Sequence, residues 1–111
     1  MKTEKSLISG STPMLVLALL VDGDKYGYEM VSELAKRSDD TFRLKEGTLY
    51  PLLHTMEKSH WISAYTRQTD SRRERKYYRI TETGRRQLEH KEAEWKLFSE
   101  KVNAVLGCAG V

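Results

Sequence analysis

Between Arg67 and Arg86 stand eight basic residues, Arg67, Arg72, Arg73, Arg75, Lys76, Arg79, Arg85 and Arg86, against three acids, Asp70, Glu74 and Glu82. The segment carries +5 in 20 residues, while the chain as a whole carries +3, so the other 91 residues sum to −2. Arginine outnumbers lysine there by seven to one. A guanidinium forks onto two phosphate oxygens at once, and narrow minor grooves attract it. The chemistry on offer is ion pairing with a polyanion. A lone basic run is more often a solvated loop, so its neighbours decide the reading. Other chemistry is poorly supplied. His54, His60 and His90 lack metal-ligand spacing, Cys108 has no local His or Asp, and no Gly-rich loop follows a strand. These absences argue against an enzyme, and no cofactor is implied.

The second candidate is the stretch Thr48 to Trp61. Leu49, Leu52, Leu53 and Met56 fall at i, i+3, i+4 and i+7, one apolar stripe of a helix. Tyr50, His54, Glu57 and Lys58 occupy the opposite face. With Thr48 as N-cap, Pro51 falls in the first turn, where its missing N–H has no intrahelical partner to lose. The helix then shows a front of Tyr50, Pro51 and His54, suited to reading another surface.

The elements that must hold these residues follow in order. Ser11 or Thr12 is expected to cap a first helix with Pro13 at its first position, after a loose lead-in. Met14 to Val21 is apolar on all sides and should be buried. Asp22-Gly23-Asp24 stops it, Gly23 suiting a left-handed position. A second helix is predicted from about Tyr26 to Arg37, with Tyr28, Val31, Leu34 and Ala35 inward. Thr41 to Leu44 alternates as a short strand with Phe42 and Leu44 inward. After the third helix, Trp61 to Gln68 and Arg75 to Thr81 read as strands of a hairpin with the polar tip Thr69 to Glu74. Thr81 caps a last helix, about Glu82 to Leu106, which ends at Gly107. Gly84 is expected where that helix passes close to the sheet. Helix, helix, strand, helix, hairpin and long helix make a mainly α (α+β) winged helix-turn-helix with the basic run on its wing.

Composition bounds the rest. A chain of 111 residues predicts one compact domain, here split into a winged part, 1–81, and a terminal helix, 82–111. A single cysteine excludes an internal disulfide framework and points to a reducing cytoplasm. The longest apolar run is eight residues, Met14 to Val21, against the roughly 20 a membrane span needs. Neither a signal peptide nor a membrane partner is expected.

In the last helix Leu88, Trp95 and Val102 recur every seven residues, and Phe98 and Val105 follow three after members of that set. These are a and d positions of a heptad seam, with Lys91 the one polar d. The three helices and wing read as complete without this helix, so its seam either folds back on its own domain or, as expected, is covered by a second copy in a homodimer. Such a dimer would set two recognition helices roughly 34 Å apart over a palindrome. Trp95 reads either as a seam anchor or as one of two facing aromatic plates that stack a flat effector.

Several blocks resemble the PadR family of bacterial transcriptional regulators. They are Leu17-Ala18-Leu19-Leu20 with Gly23, Tyr26-Gly27-Tyr28-Glu29, and Glu46-Gly47-Thr48-Leu49-Tyr50-Pro51-Leu52-Leu53. Met56-Glu57-Lys58 leading to Trp61-Ile62, and Arg75 to Thr81 with Gly84-Arg85, complete the match, which runs from about residue 7 to residue 90. The single terminal helix resembles the compact branch of the family. One departure is His60-Trp61, where the family often has Gly-Leu or Gly-Ile. The resemblance implies a dimeric repressor of double-stranded DNA, relieved in some members by phenolic acids or lipophilic drugs. It implies that Thr48, Tyr50, Pro51 and His54 face the major groove. Tyr26, Tyr28, Lys45, Arg75, Lys76 and Tyr78 would hold phosphates, and Arg72 and Arg73 would form the wing tip. Tyr28 is also claimed by the core in the stripe above. The seam residues Leu88, Trp95, Phe98, Val102 and Val105 would make the dimer and border an aromatic effector. Two rivals remain: a winged-helix module that binds an acidic protein, and a DNA-coating protein without a preferred site.

Overall fold

The structure is a computed structural model that describes residues 5–107, with side chains from residue 10 onward. The chain runs α1 (Lys5–Val21), β1 (Lys25–Tyr26), α2 (Gly27–Arg37), α3 (Glu46–Lys58), β2 (Ile62–Gln68), β3 (Glu74–Ile80) and α4 (Glu82–Leu106). The strands form one antiparallel sheet in the order β1-β3-β2. This is the winged helix-turn-helix that the element order predicts. Cys108 lies outside the described residues.

The core explains the topology. Val16, Leu17, Leu19 and Leu20 of α1 are almost wholly buried, as an all-apolar helix must be. Around them gather Met30 and Leu34 of α2, Leu49, Leu53 and Met56 of α3, and Ile62, Tyr78 and Ile80 of the sheet. The stripe predicted for α3 is therefore its inward face, with Leu52 partly buried beside it. In the hairpin Ile62 pairs with Ile80 and Ala64 with Tyr78, so one side of the pleat faces the helices.

Several boundaries differ from expectation. α1 begins at Lys5, so Pro13 lies inside it and neither Ser11 nor Thr12 is its cap. The proline φ is itself helical, so the ring ends no helix here and only one backbone bond is lost. α3 likewise starts at Glu46, with Lys45 rather than Thr48 as N-cap, and Pro51 stands in its second turn. Backbone N–H groups of Thr48 and Leu49 already reach the Lys45 carbonyl at 3.0 and 2.9 Å, which closes the turn before the proline. The strand expected at 41–44 is absent. Leu44 is buried and Phe42 packs on the core from irregular backbone. A strand not foreseen, β1, pairs Lys25 with Tyr78 and Tyr26 with Tyr77. In α2 the buried residues are Gly27, Met30 and Leu34, and Tyr28 is 65% exposed.

Two helix ends close with the same device. After α3 the Trp61 N–H reaches Met56 O and the His60 N–H reaches Glu57 O, both at 3.0 Å. His60 adopts φ +63°, the left-handed position that glycine usually fills. Losing the family's glycine has therefore not lost the turn. After α2 the Asp40 and Asp39 N–H groups repeat the pattern on Ala35 O and Lys36 O.

α4 is joined to the rest of the domain at its root. The Thr81 hydroxyl accepts from Gly84 N–H at 3.0 Å and caps the helix as expected. Gly84 is buried, and a Cβ there would overlap the Trp61 carbonyl oxygen. Leu88 is 6% exposed and belongs to the domain core, not to an intersubunit seam. Lys91 also turns back, its Nζ 5.4 Å from the Trp61 ring centroid. The wing and three helices are thus not complete without the first turns of α4. Beyond them Trp95, Leu97, Phe98, Val102, Val105 and Leu106 are exposed. Gly107 ends the helix at φ +80°, as predicted.

Candidate nucleic-acid interface

With Leu49, Leu53 and Met56 holding α3 to the core, its other face is fixed in the open. Thr48, Pro51 and His54 are exposed, and so is the preceding Lys45. Tyr50 is 46% exposed and leans on the start of α2. A Cβ at Gly27 would come within 2.5 Å of its hydroxyl. Glycine at 27 therefore makes the seat in which the Tyr50 ring rests. Tyr28 stands exposed one residue on.

The wing approaches the same region. At its tip Arg72 and Arg73 are exposed, and Arg72 holds φ +61°. The tip is closed by Thr69 N–H on Arg73 O and Arg72 N–H on Thr69 O, both at 2.9 Å. Such a left-handed residue completes many short hairpin loops, usually as glycine. Lys76 lies on the inward side of β3, beyond the core. Its Nζ is 3.5 Å from Glu57 Oε1, which ties the wing to α3.

Tyr78 is a correction. It is 4% exposed, packed in the core, and burial pushes its hydroxyl up from the ordinary tyrosine range. The parity of the strand gives the reason: Tyr78 shares the face of Ile80, whereas Tyr77 points the other way. Read from Ile80 backwards, the sequence held this signal.

On that outward side lie groups the sequence reading passed over. Tyr77 stacks on Tyr65 at 5.8 Å and meets Tyr26 edge-on at 5.5 Å. Arg75 lies over Tyr26 at 4.5 Å, so the expected phosphate holders Arg75 and Tyr26 are in direct contact. Asp24 accepts from the Tyr65 hydroxyl at 2.6 Å and pairs with Arg79 at 3.1 Å. The Tyr65 bond, and then Arg79, hold the Asp24 carboxyl below its usual value, and the same bond raises Tyr65.

The α3 front carries Thr48, Tyr50, Pro51 and His54 with Lys45 just before it, Tyr28 stands at the start of α2, and the wing carries Arg72, Arg73 and Lys76, while Tyr26 and Arg75 meet on the outward face of the sheet. Tyr78 falls out of the surface. No cluster of His, Cys, Asp or Glu fit for a metal occurs among the described residues.

An exposed helix-turn-helix front flanked by a basic wing defines a class, the winged-helix regulators. The sequence pattern of the PadR-like transcriptional regulator family matches residues 16–90, and the chain belongs to that family. An uncharacterised protein of Lysinibacillus sphaericus is 35% identical over 97 residues, 87% of this chain and 89% of its own. A transcriptional regulator from Clostridium thermocellum superposes with a TM-score of 0.83 at 33% identity, covering 90% of this chain and 97% of the other. A PadR-like regulator from Bacillus cereus gives 0.81 at 33% identity, over 96% of this chain and all of its own (100%).

Proposed function

We propose that this PadR-family regulator is a repressor that binds a palindromic site on double-stranded DNA as a homodimer. The observation that carries the reading is the outward face of α3. It is pinned from behind by Leu49, Leu53 and Met56 and presents Thr48, Tyr50, Pro51 and His54 beside the wing arginines. Base edges would meet Tyr50 and His54. Phosphates would meet Tyr28, Lys45, Arg72, Arg73 and Arg75, which position the protein without reading sequence. The modest hydrogen-bonding capacity of this front favours some reading by DNA shape. Residues 1–81 form the DNA-binding part. The assembly arm of 82–111 is the stretch from Trp95 onward, where Phe98, Val102 and Val105 lie bare to solvent. The cytoplasm is the compartment of such a protein, and no described helix is long and apolar enough to cross a membrane.

Selection from random duplex DNA with the purified protein tests this directly. A preferred, twofold-symmetric sequence is expected. Tyr50→Ala or His54→Ala should then narrow the gap between specific and non-specific affinity by about 1–3 kcal/mol. A protein that enriches no sequence is a coating or protein-binding module instead.

The same arm supports an effector reading. The Trp95 and Phe98 rings lie 6.4 Å apart and tilted by 32°, and an apolar hollow of about 330 Å³ follows, bordered by Phe98, Val102 and Val105. A planar aromatic compound held there relieves repression by favouring a dimer with differently spaced reading helices. In a Trp61→Phe background such a compound quenches Trp95 fluorescence and weakens operator binding together. If a broad panel moves neither, Trp95 is a seam anchor alone.

A further inference from the structure

The sheet has a second face that none of the assignments above uses as a unit. Tyr65 and Arg67 of β2, Arg75, Tyr77 and Arg79 of β3, and Tyr26 of β1 share the side turned away from the core. Every guanidinium on it lies over a ring. Arg75 is 4.5 Å from the Tyr26 centroid, Arg67 is 5.4 Å from Tyr77, and Arg79 is 5.3 Å from Tyr65. Tyr77 touches both Tyr26 and Tyr65, so the three rings form one slab. A guanidinium resting on a ring keeps its N–H edge free for a planar, forked acceptor.

Arg67 and Arg75 are direct cross-strand partners. Like charges placed opposite each other destabilise a hairpin. Neither has a carboxylate within ion-pairing distance among the described residues, whereas Arg79 is neutralised by Asp24 at 3.1 Å. The fold therefore holds two uncompensated forks side by side, their side chains already ordered by the tyrosines. Ordering before binding lowers the entropy lost on binding. The ligand such a pair suits is an anion with several acceptor oxygens.

Position selects which anion. The Arg67–Arg75 rung is next to the last rung of the hairpin, Gln68–Glu74, below the tip that carries Arg72 and Arg73. At about 3.3 Å per residue the rung lies roughly 7 Å behind the loop. A minor groove is about 6 Å wide, so a tip resting in it brings this rung level with a flanking backbone strand. The face is also continuous with the start of α2, because the ring under Arg75 belongs to its N-cap, Tyr26.

We propose that Arg67 and Arg75, held over Tyr77 and Tyr26, clamp backbone phosphates beside the wing, and that Asp24 withholds Arg79 from the same strand. The proposal rests on the DNA-binding reading above and adds Arg67, the tyrosine slab and Asp24 to it.

The test measures binding of the full chain to its selected duplex and to an unrelated one, from about 50 to 200 mM salt. Arg67→Ala should weaken both duplexes alike and flatten the log–log salt slope by about 0.9. Arg67→Lys should restore the slope but not the full affinity, because the point charge lacks the fork. Asp24→Asn should steepen the slope by about the same amount, a gain that damage to the fold cannot produce. An unchanged slope in Arg67→Ala, with a flattened one in Arg72→Ala/Arg73→Ala, overturns the clamp and leaves the DNA reading standing. That is also the result expected if the face serves an acidic polypeptide. An unchanged slope in Asp24→Asn overturns the withholding role. A wild-type protein that binds neither duplex overturns the functional reading and the clamp together.

Discussion

The two ends of α4 face different solvents. Gly84 and Leu88 are packed into the winged domain, and Lys91 lies over Trp61, so the root of the helix is domain core. From Trp95 on, the apolar positions are bare, and Val105 reaches 87% exposure. One heptad pattern spans both. Its first members are satisfied inside the chain and its later members are not. Periodicity alone thus marks which side of a helix is apolar, not which partner covers it.

Substitutions at either end should separate the two roles. The largest effect on DNA binding is expected from Val102→Asp. A charge on each side of a small twofold interface should convert a dimer to monomers and cost operator affinity tenfold or more, while the melting temperature of the winged domain stays put. Sedimentation and DNA titration read the two quantities independently. At the root, Gly84→Ala should do the reverse. The added methyl meets the Trp61 backbone, which cannot swing aside, and stability should fall by about 3 kcal/mol in urea unfolding.

A smaller effect is expected at Gly27→Ala, where the obstacle is the far end of the Tyr50 side chain. The ring must leave its seat, so the preference for the specific site should drop by about 1 kcal/mol with little change in non-specific binding. Smallest, His60→Gly should stabilise the domain by about 1 kcal/mol, because the left-handed φ of +63° strains any residue with a Cβ. A melting curve no higher than wild type would mean that the histidine side chain contributes what its backbone costs.

The winged order, the inward stripe of α3, the Thr81 cap, the Gly84 close approach and the Gly107 terminus were all legible in the chain. They rest on local rules: periodicity, capping and turn chemistry. What was not legible depends on pairing. β1 is two residues long and exists only because β3 lies beside it. The start of α3 escaped because a proline in the second turn reads the same as one in the first. The tyrosine and arginine slab needed strand parity and register together, and parity counted from Ile80 is what turns Tyr78 inward and Tyr77 outward.

The Trp61 carbonyl has a consequence of another kind. It accepts both the N–H and the hydroxyl of Thr81, each at 3.0 Å, while the same hydroxyl reaches His60 O at 2.6 Å. The exit of α3 and the entry of α4 are thereby riveted at one point, with the Gly84 backbone pressed against it. A helix of 25 residues is a rod of about 37 Å. Its first turns are packed into the domain, so the 15 residues beyond Lys91 project as an arm of roughly 22 Å, and a tilt of about 5° would move its far end by roughly 2 Å and load the exit of α3. In mechanical terms α4 is built as a cantilever whose clamped end is the exit of α3.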